Sequence, residues 1–172
     1  NYVQEGEKYS NNEINIASSE KNGFRIVEVL SDVSNVKFKG KFDVSELPFT
    51  FELMAKNMFP TVFGRKDSNE LVNQNFEFDV LIKNYSPIYK LFTPEFDVAD
   101  NTTITGEFKS NSQLFSVFVI SDSVSFQDKK AENLKLSITK PDEILTLYST
   151  VSKFKINNLK FDNLVLNTLV KE

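Results

Sequence analysis

The feature that most constrains this chain is a period of two. Apolar and polar residues alternate along most of its 172 positions. Side chains of a β-strand point to opposite faces in turn, so this pattern fits strands with one face buried and one face wet. The clearest runs are 76–82, with Phe76, Phe78, Val80 and Ile82 apolar, and 103–108, with Ile104 and Phe108. Further runs span 114–120, 124–126, 134–138, 144–151, 154–156, 159–161 and 164–166, and earlier ones lie at 14–16, 24–30 and 36–42. The breaks between them are short and rich in Asn, Asp, Ser and Lys, as at 110–112 and 127–130. Such spacing predicts consecutive antiparallel strands joined by tight turns.

One segment changes period. Leu47, Phe51, Met54 and Met58 recur at helical intervals. Ser45 and Glu46 supply a cap and a first-turn acid, Pro48 suits the first turn and Pro60 ends it. A three-turn amphipathic helix is expected there, with those four residues packing the sheet or plugging it. A second, short helix is expected at 86–92, closed by Thr93 and Pro94. The polar stretch 64–74 reads as a loop and is the best candidate for a boundary within an otherwise single domain, 1–172. The motif Asn-Leu-x-apolar recurs at Asn133, Asn158 and Asn163. Its irregular spacing fits a series of similar strands better than a solenoid.

Composition removes most catalytic chemistries. The chain has no His and no Cys. It therefore holds no Ser-His-Asp triad, imidazole base, thiol nucleophile, disulfide or thiolate metal site. Its formal charge of −4 with two arginines, Arg25 and Arg65, is a poor match to nucleic acid. No run of 18 apolar residues exists to span a membrane. The polar start, Asn1 to Glu13, is no signal peptide and lacks an initiator Met, while alternation continues through Leu164 to Glu172. A segment of a longer chain is expected, with any anchor or export signal outside it.

The remaining reactive groups have a bland reading and a functional one. Glu77 and Asp79 share a strand face, and Asp97 and Asp100 lie close in sequence. A carboxylate pair serves glycosidases as acid and base, but a solvated sheet face explains these better. Their spacing is not that of a calcium loop, and five scattered glycines form no phosphate loop. Lys37, Lys39 and Lys41 form a basic stripe that suits lipid phosphates or, more simply, a guarded strand edge. The 17 phenylalanines read either as ordinary core or as an apolar lining held partly open for a lipid tail. One helix covers only part of a sheet of ten or so strands. The sheet must then curl on itself or leave apolar surface over.

The ordered series of motifs resembles the C-terminal region of TamB/AsmA-like proteins of the Gram-negative envelope. It comprises Gly40 to Asp43, Leu47-Pro48 through Phe59-Pro60, Phe76 to Asn84, Pro87 to Phe92, Pro94 to Ala99, Thr103 to Phe108, and Asn133-Leu134. Together these cover roughly residues 24–170. The resemblance implies a mainly β fold: a curled antiparallel sheet forming an open, taco-like groove, here with one amphipathic and one short helix. It implies a periplasmic chain anchored in the inner membrane, no cofactor, and a part in phospholipid transport or outer-membrane protein assembly. The implied partners are phospholipid acyl chains and an Omp85-type outer-membrane protein.

The family supplies no catalytic residue and no fixed ligand motif, so the groove lining has to come from periodicity. Lining is expected from Phe76, Phe78, Val80, Ile82, Ile104, Phe108, Leu134, Leu136, Ile138, Phe154, Ile156, Leu159, Phe161, Leu164 and Leu166. The run 114–120 is apolar on both faces and fixes no register. The competing reading is a non-catalytic interaction or structural module of the envelope, with a closed sheet whose edge pairs with partner strands.

Overall fold

A strand whose apolar residues lie on one face is stable only when neighbours continue that face, and this chain supplies them in sequence order. The computed structural model describes residues 2–4, 7–9, 13–58, 74–84, 96–112, 114–141 and 144–171. The expected helix at 86–92, Pro60, Pro94 and all of loop 64–74 except Gln74 lie outside these residues, as do the side chains of Met54 and Met58. Two three-residue strands, β1 (Tyr2–Gln4) and β2 (Glu7–Tyr9), form a separate antiparallel pair. The rest is one ten-stranded antiparallel sheet, open rather than closed into a barrel.

The sheet begins with β3 (Ile14–Lys21), β4 (Phe24–Ser31) and β5 (Ser34–Lys41). A 3-10 turn (Val44–Glu46) then leads into α1 (Leu47–Met58). β6 (Asn75–Ile82), β7 (Phe96–Val98) and β8 (Thr102–Lys109) follow. The last four strands are long: β9 (Leu114–Phe126), β10 (Lys129–Lys140), β11 (Ile144–Ile156) and β12 (Leu159–Lys171). In space the order is β12-β11-β10-β9-β8-β6-β5-β4-β3, with β7 pairing the end of β9. β3 and β12 are therefore the two edges.

Local chemistry places the turns. Asn22 and Gly23 both take positive φ between Lys21 and Phe24, the two-residue hairpin geometry that matches strand twist. Gln127 and Asn157 occupy the left-handed region in the two-residue turns after β9 and β11. Asp43 caps the 3-10 turn. Its carboxylate accepts from the Ser45 amide at 2.8 Å and from the Ser45 hydroxyl at 2.7 Å. Gln74, 3% exposed, ties three strand ends together. Its side-chain oxygen accepts from the Asp43 amide, its own amide donates to Ser110 Oγ, and its carbonyl accepts from the Ser110 amide. A buried polar group is tolerated when it is satisfied in this way.

The register sorts the faces. Val27 lies opposite Phe38, Phe38 opposite Phe78, Phe76 opposite Phe108, Phe108 opposite Phe115, Val117 opposite Ile138, and Ile138 opposite Leu147. One continuous apolar face results, and its cluster holds Phe42, Leu47, Phe76, Phe78, Phe108, Phe115, Ile138 and Leu145. α1 lies on it. The Phe51 ring sits 6.2, 5.9 and 5.8 Å from those of Phe38, Phe76 and Phe78, at steep edge-to-face angles. Such ring pairs add about 0.5–1.5 kcal/mol each beyond area burial.

The inward stripe of α1 differs from the expected one. Leu47 is buried as expected and Phe51 half-buried, but Thr50 and Leu53 are also buried, at 0% and 5% exposure. Thr50 is admitted because its hydroxyl donates to the Glu46 carbonyl at 2.9 Å.

Gly40 is where the sheet leaves no room. Its φ is +149°, and a Cβ there would collide with the Asn75 carbonyl oxygen and lie 2.7 Å from Phe76 Cα. Chemical denaturation of Gly40→Ala is expected to show a loss of about 3 kcal/mol, the upper range for overpacking. Gly23→Ala, whose Cβ would meet nothing within 4 Å, is expected to lose only about 1 kcal/mol of left-handed backbone preference.

The Ser45 bonds also hold the Asp43 carboxyl below the usual carboxylate range, the hydroxyl contributing most. A depressed carboxyl stabilises the fold above its unfolded pKa, near about 3.9, and loses that contribution as pH falls through the folded value. Carbon-detected NMR titration should place the Asp43 midpoint below that of a free aspartate, and Ser45→Ala should raise it.

Candidate functional site: an apolar sheet face closed at one part and open at another

The expected lining residues divide by depth. Phe76, Phe78, Phe108 and Ile138 lie on the apolar face but are 3–7% exposed, filled in by one another and by α1. Val80, Ile82, Ile104, Leu134 and Leu136 are half-buried. Leu134 and Leu136 pair with Ser121 and Val119 on that face. Leu164 and Leu166 continue it through their pairs with Val151 and Ser149, and are 38% and 50% exposed. Val170, opposite Leu145, is 48% exposed. The face is thus sealed over β5, β6 and β8 and uncovered at β12, where every residue from Leu159 to Val170 is exposed.

Phe154, Ile156, Leu159 and Phe161 belong to a second patch. Phe154 faces Phe161 at 6.3 Å and Ile156 pairs with Leu159. The apolar set changes phase between the two patches. In β11 it runs through odd positions up to Val151, 8% exposed, and through even positions from Phe154. The change falls on a transverse row. Asn133 and Asn163 have φ of 52° and 54° and lie in register with Asp122 and Ser152 on their neighbours. Asn133 Nδ2 donates to Ser152 Oγ at 2.8 Å, and Ser152 Oγ donates to the Glu132 carbonyl. A left-handed residue interrupts an extended run and turns the strand, and Asn adopts it at low cost.

The neighbouring strands make the same break differently. β7 and β8 are separated by 99–101, with Asn101 at φ 60°, and the register against β9 shifts there by one residue. Thr102 and Ser121, 1% and 3% exposed, lie hydroxyl to hydroxyl at 2.6 Å, with the Ala99 carbonyl beside Thr102 and the Ser123 carbonyl beside Ser121, so that one hydroxyl donates to the other and the second donates to its carbonyl.

Several residues of alternating runs that the expected lining left out also lie on the sealed face: Val27, Val36, Phe38, Phe115, Val117, Leu145 and Leu147. Pairing resolves the ambiguous run 114–120. Phe115, Val117 and Val119 join the core face, while Phe118 and Ile120 are 45% and 55% exposed.

The opposite face mixes exposed apolar side chains, Phe118, Ile120, Tyr148, Val165 and Leu169, with cross-strand ion pairs. Lys37 Nζ lies 2.7 Å from Glu28, and Lys39 Nζ lies 2.9 Å from Glu77. That contact raises the Lys39 pKa, through the hydrogen bond first and the charge second. Two members of the expected basic stripe are therefore paired with carboxylates. Asn35, Leu81, Asp79 and Thr103 help line a cavity of about 370 Å³ on this face, beside the Lys37–Glu28 pair, and Asn35 Oδ1 is buried there with no hydrogen-bond partner among the described residues. Sequence alone gave no sign of it. Asp97 and Asp100 are exposed near the 99–101 break. Among the described residues no group of three or more carboxylates is placed to hold a metal, and no helix is long and apolar enough to cross a membrane. No family model, curated protein or solved structure matches the chain.

The division of the face has a measurable consequence. Phe78→Ala should cost about 3–5 kcal/mol in denaturation, as expected for a filled aromatic site. Leu166→Ala should change stability by no more than about 0.5 kcal/mol, because water already reaches that side chain. Equal losses at the two sites would mean that the face is closed throughout.

Proposed function

We propose that the chain is a non-catalytic segment of a TamB/AsmA-like envelope protein whose apolar sheet face shelters lipid acyl chains. Its setting on this reading is the periplasm, within a longer chain anchored in the inner membrane. It acts in phospholipid transfer toward the outer membrane or in outer-membrane protein assembly beside an Omp85-type partner. The observation that carries the reading is the exposure of Leu164, Leu166 and Val170 on the same face whose other end is packed shut. An apolar row continuous with a core and left in water is the surface a hydrocarbon chain would cover. The order of sequence motifs from Gly40 to Leu134 adds support.

The mechanism is partition rather than chemistry. Each buried methylene is worth about 0.8 kcal/mol, so a two-chain lipid with roughly 30 methylenes faces on the order of 20 kcal/mol on full exposure to water. A continuous apolar row lowers that barrier without a nucleophile, metal or cofactor. Headgroups stay in water at the open side, so selectivity among lipids is low. The half-buried Leu134, Leu136 and Leu147 extend the row inward until Ile138 and the phenylalanine cluster stop it. An equilibrium surface of this kind sets no direction of transport.

A photo-crosslinking residue placed at Leu166 in cells should capture phospholipid. The same residue at Val165, the adjacent exposed position on the opposite face, should capture little. Equal lipid capture at both positions, or none at Leu166, would overturn the reading.

A further inference from the structure

We infer that the tip shared by the β9–β10 and β11–β12 hairpins docks on a bilayer surface that bears anionic headgroups. Beyond the transverse row of Asn133, Ser152 and Asn163, the four long strands end in a short slab with two unlike faces. Pairing aligns Val124, Ala131, Phe154 and Phe161 across one face, and then Phe126, Lys129, Ile156 and Leu159 beside the turns. Phe126, Phe161 and Leu159 are 48%, 44% and 62% exposed. Between these two rows, on the other face of the slab, Ser125, Lys130, Lys155 and Lys160 align.

The lysines select the occupant. Lys130 lies opposite Lys155 and Lys155 opposite Lys160, and like charges facing each other across strands cost stability. Lysine on an edge strand wards off unwanted pairing, but Lys130 and Lys155 sit inside the sheet and guard no edge. Lys129 and Lys130 lie 3.3 Å from Asp128 and Glu132, while Lys155 and Lys160 enter no ion pair among the described residues. The tips, 124–132 and 153–162, hold five lysines against three acids, in a chain whose formal charge is −4. The row turns acidic only at its far end, where Asp97 of β7 lies opposite Ser125. A positive pole on a negative chain is complementary to an anionic surface.

Rings and lysines together suit a lipid interface. Lys129 Nζ lies 5.9 Å from the centre of the Phe126 ring, so cation and aromatic group already share one spot at the turn. A lysine stem lets its ammonium reach a phosphate while apolar neighbours enter the headgroup boundary. Each basic residue held near an anionic leaflet strengthens binding by about fivefold. Both turns are two residues long, which presents these side chains on short hairpins. Further strands beyond β12 would pair beside it and leave both faces of the tip as they are. Docking here is independent of acyl shelter at Leu164 and Leu166, which lie across Asn163 from the tip.

The test is flotation of the full chain with lipid vesicles. Vesicles of equimolar phosphatidylcholine and phosphatidylglycerol should carry the chain, and phosphatidylcholine alone should bind it about tenfold more weakly or worse. Added salt should release it. Lys155→Glu combined with Lys160→Glu should weaken binding by about twentyfold or more without lowering the denaturation midpoint, because the change breaks up a like-charge row. Leu159→Ser, at an exposed side chain, should weaken binding by about tenfold. Lys135→Glu and Leu166→Glu, both across the transverse row from the tip, should change it by less than about twofold. No flotation with the anionic vesicles, equal flotation with both lipids, a lower midpoint in the lysine pair, or binding indifferent to that pair or to Leu159→Ser would each overturn the proposal. Flotation only with vesicles that also carry envelope protein would overturn it in favour of a protein partner.

Discussion

The structure depends on covering one face of an open sheet. A β-barrel would bury its apolar side by closure and a sandwich by stacking, and among the described residues this sheet does neither. It relies on large side chains that fill their own face and on the first half of one helix. Phe38, Phe42, Phe76, Phe78 and Phe108 touch in a chain of ring contacts at 5.7–6.2 Å, and Phe51 enters from above. Phenylalanine suits this work because each ring buries a large apolar area without a polar atom to satisfy. The cover thins with distance from α1. By β12 nothing among the described residues lies over the leucines.

The transverse row of Asn133, Ser152 and Asn163 is the second organising device. It divides the long strands and separates the main apolar face from the patch around Phe154 and Phe161. Asparagine fits because its side chain bonds locally while its backbone takes the left-handed region, as the Asn133–Ser152 contact illustrates. The Thr102–Ser121 pair serves the same end on β8 and β9. The break there is buried, and its polar groups bond to each other and to nearby carbonyls. On the opposite face, cross-strand ion pairs occupy Lys37 and Lys39.

Much of the architecture was legible in the residues. Alternation marked β5, β6, β8 and the long C-terminal strands; the break expected at 127–130 narrows to a two-residue hairpin turn at 127–128, because Lys129 and Lys130 already pair in β10, and 157–158 is a second such turn. The helix was legible from Leu47 and Phe51, although its docked face turned toward Thr50 and Leu53. A threonine that returns its hydroxyl to the helix backbone behaves as a small apolar residue, which a pattern of hydrophobic types does not register. The phase change at Ser152 escaped for a related reason. Period-two reading treats each run alone, whereas the change belongs to a row shared by neighbouring strands. The recurring Asn-Leu-x-apolar motif was its trace, since two of its three copies begin at a left-handed asparagine. The degree of cover was not legible at all. Phe78 and Leu166 sit in equivalent alternating patterns, and only pairing order and the position of α1 make one buried and the other exposed.

Native mass spectrometry of the chain purified from cell envelopes in gentle detergent tests the central claim most directly. The account predicts a population carrying one or more two-chain phospholipids, sharply reduced by Leu166→Glu and unaffected by Val165→Glu. A bare chain under the same conditions, or lipid retained equally by both variants, would contradict it.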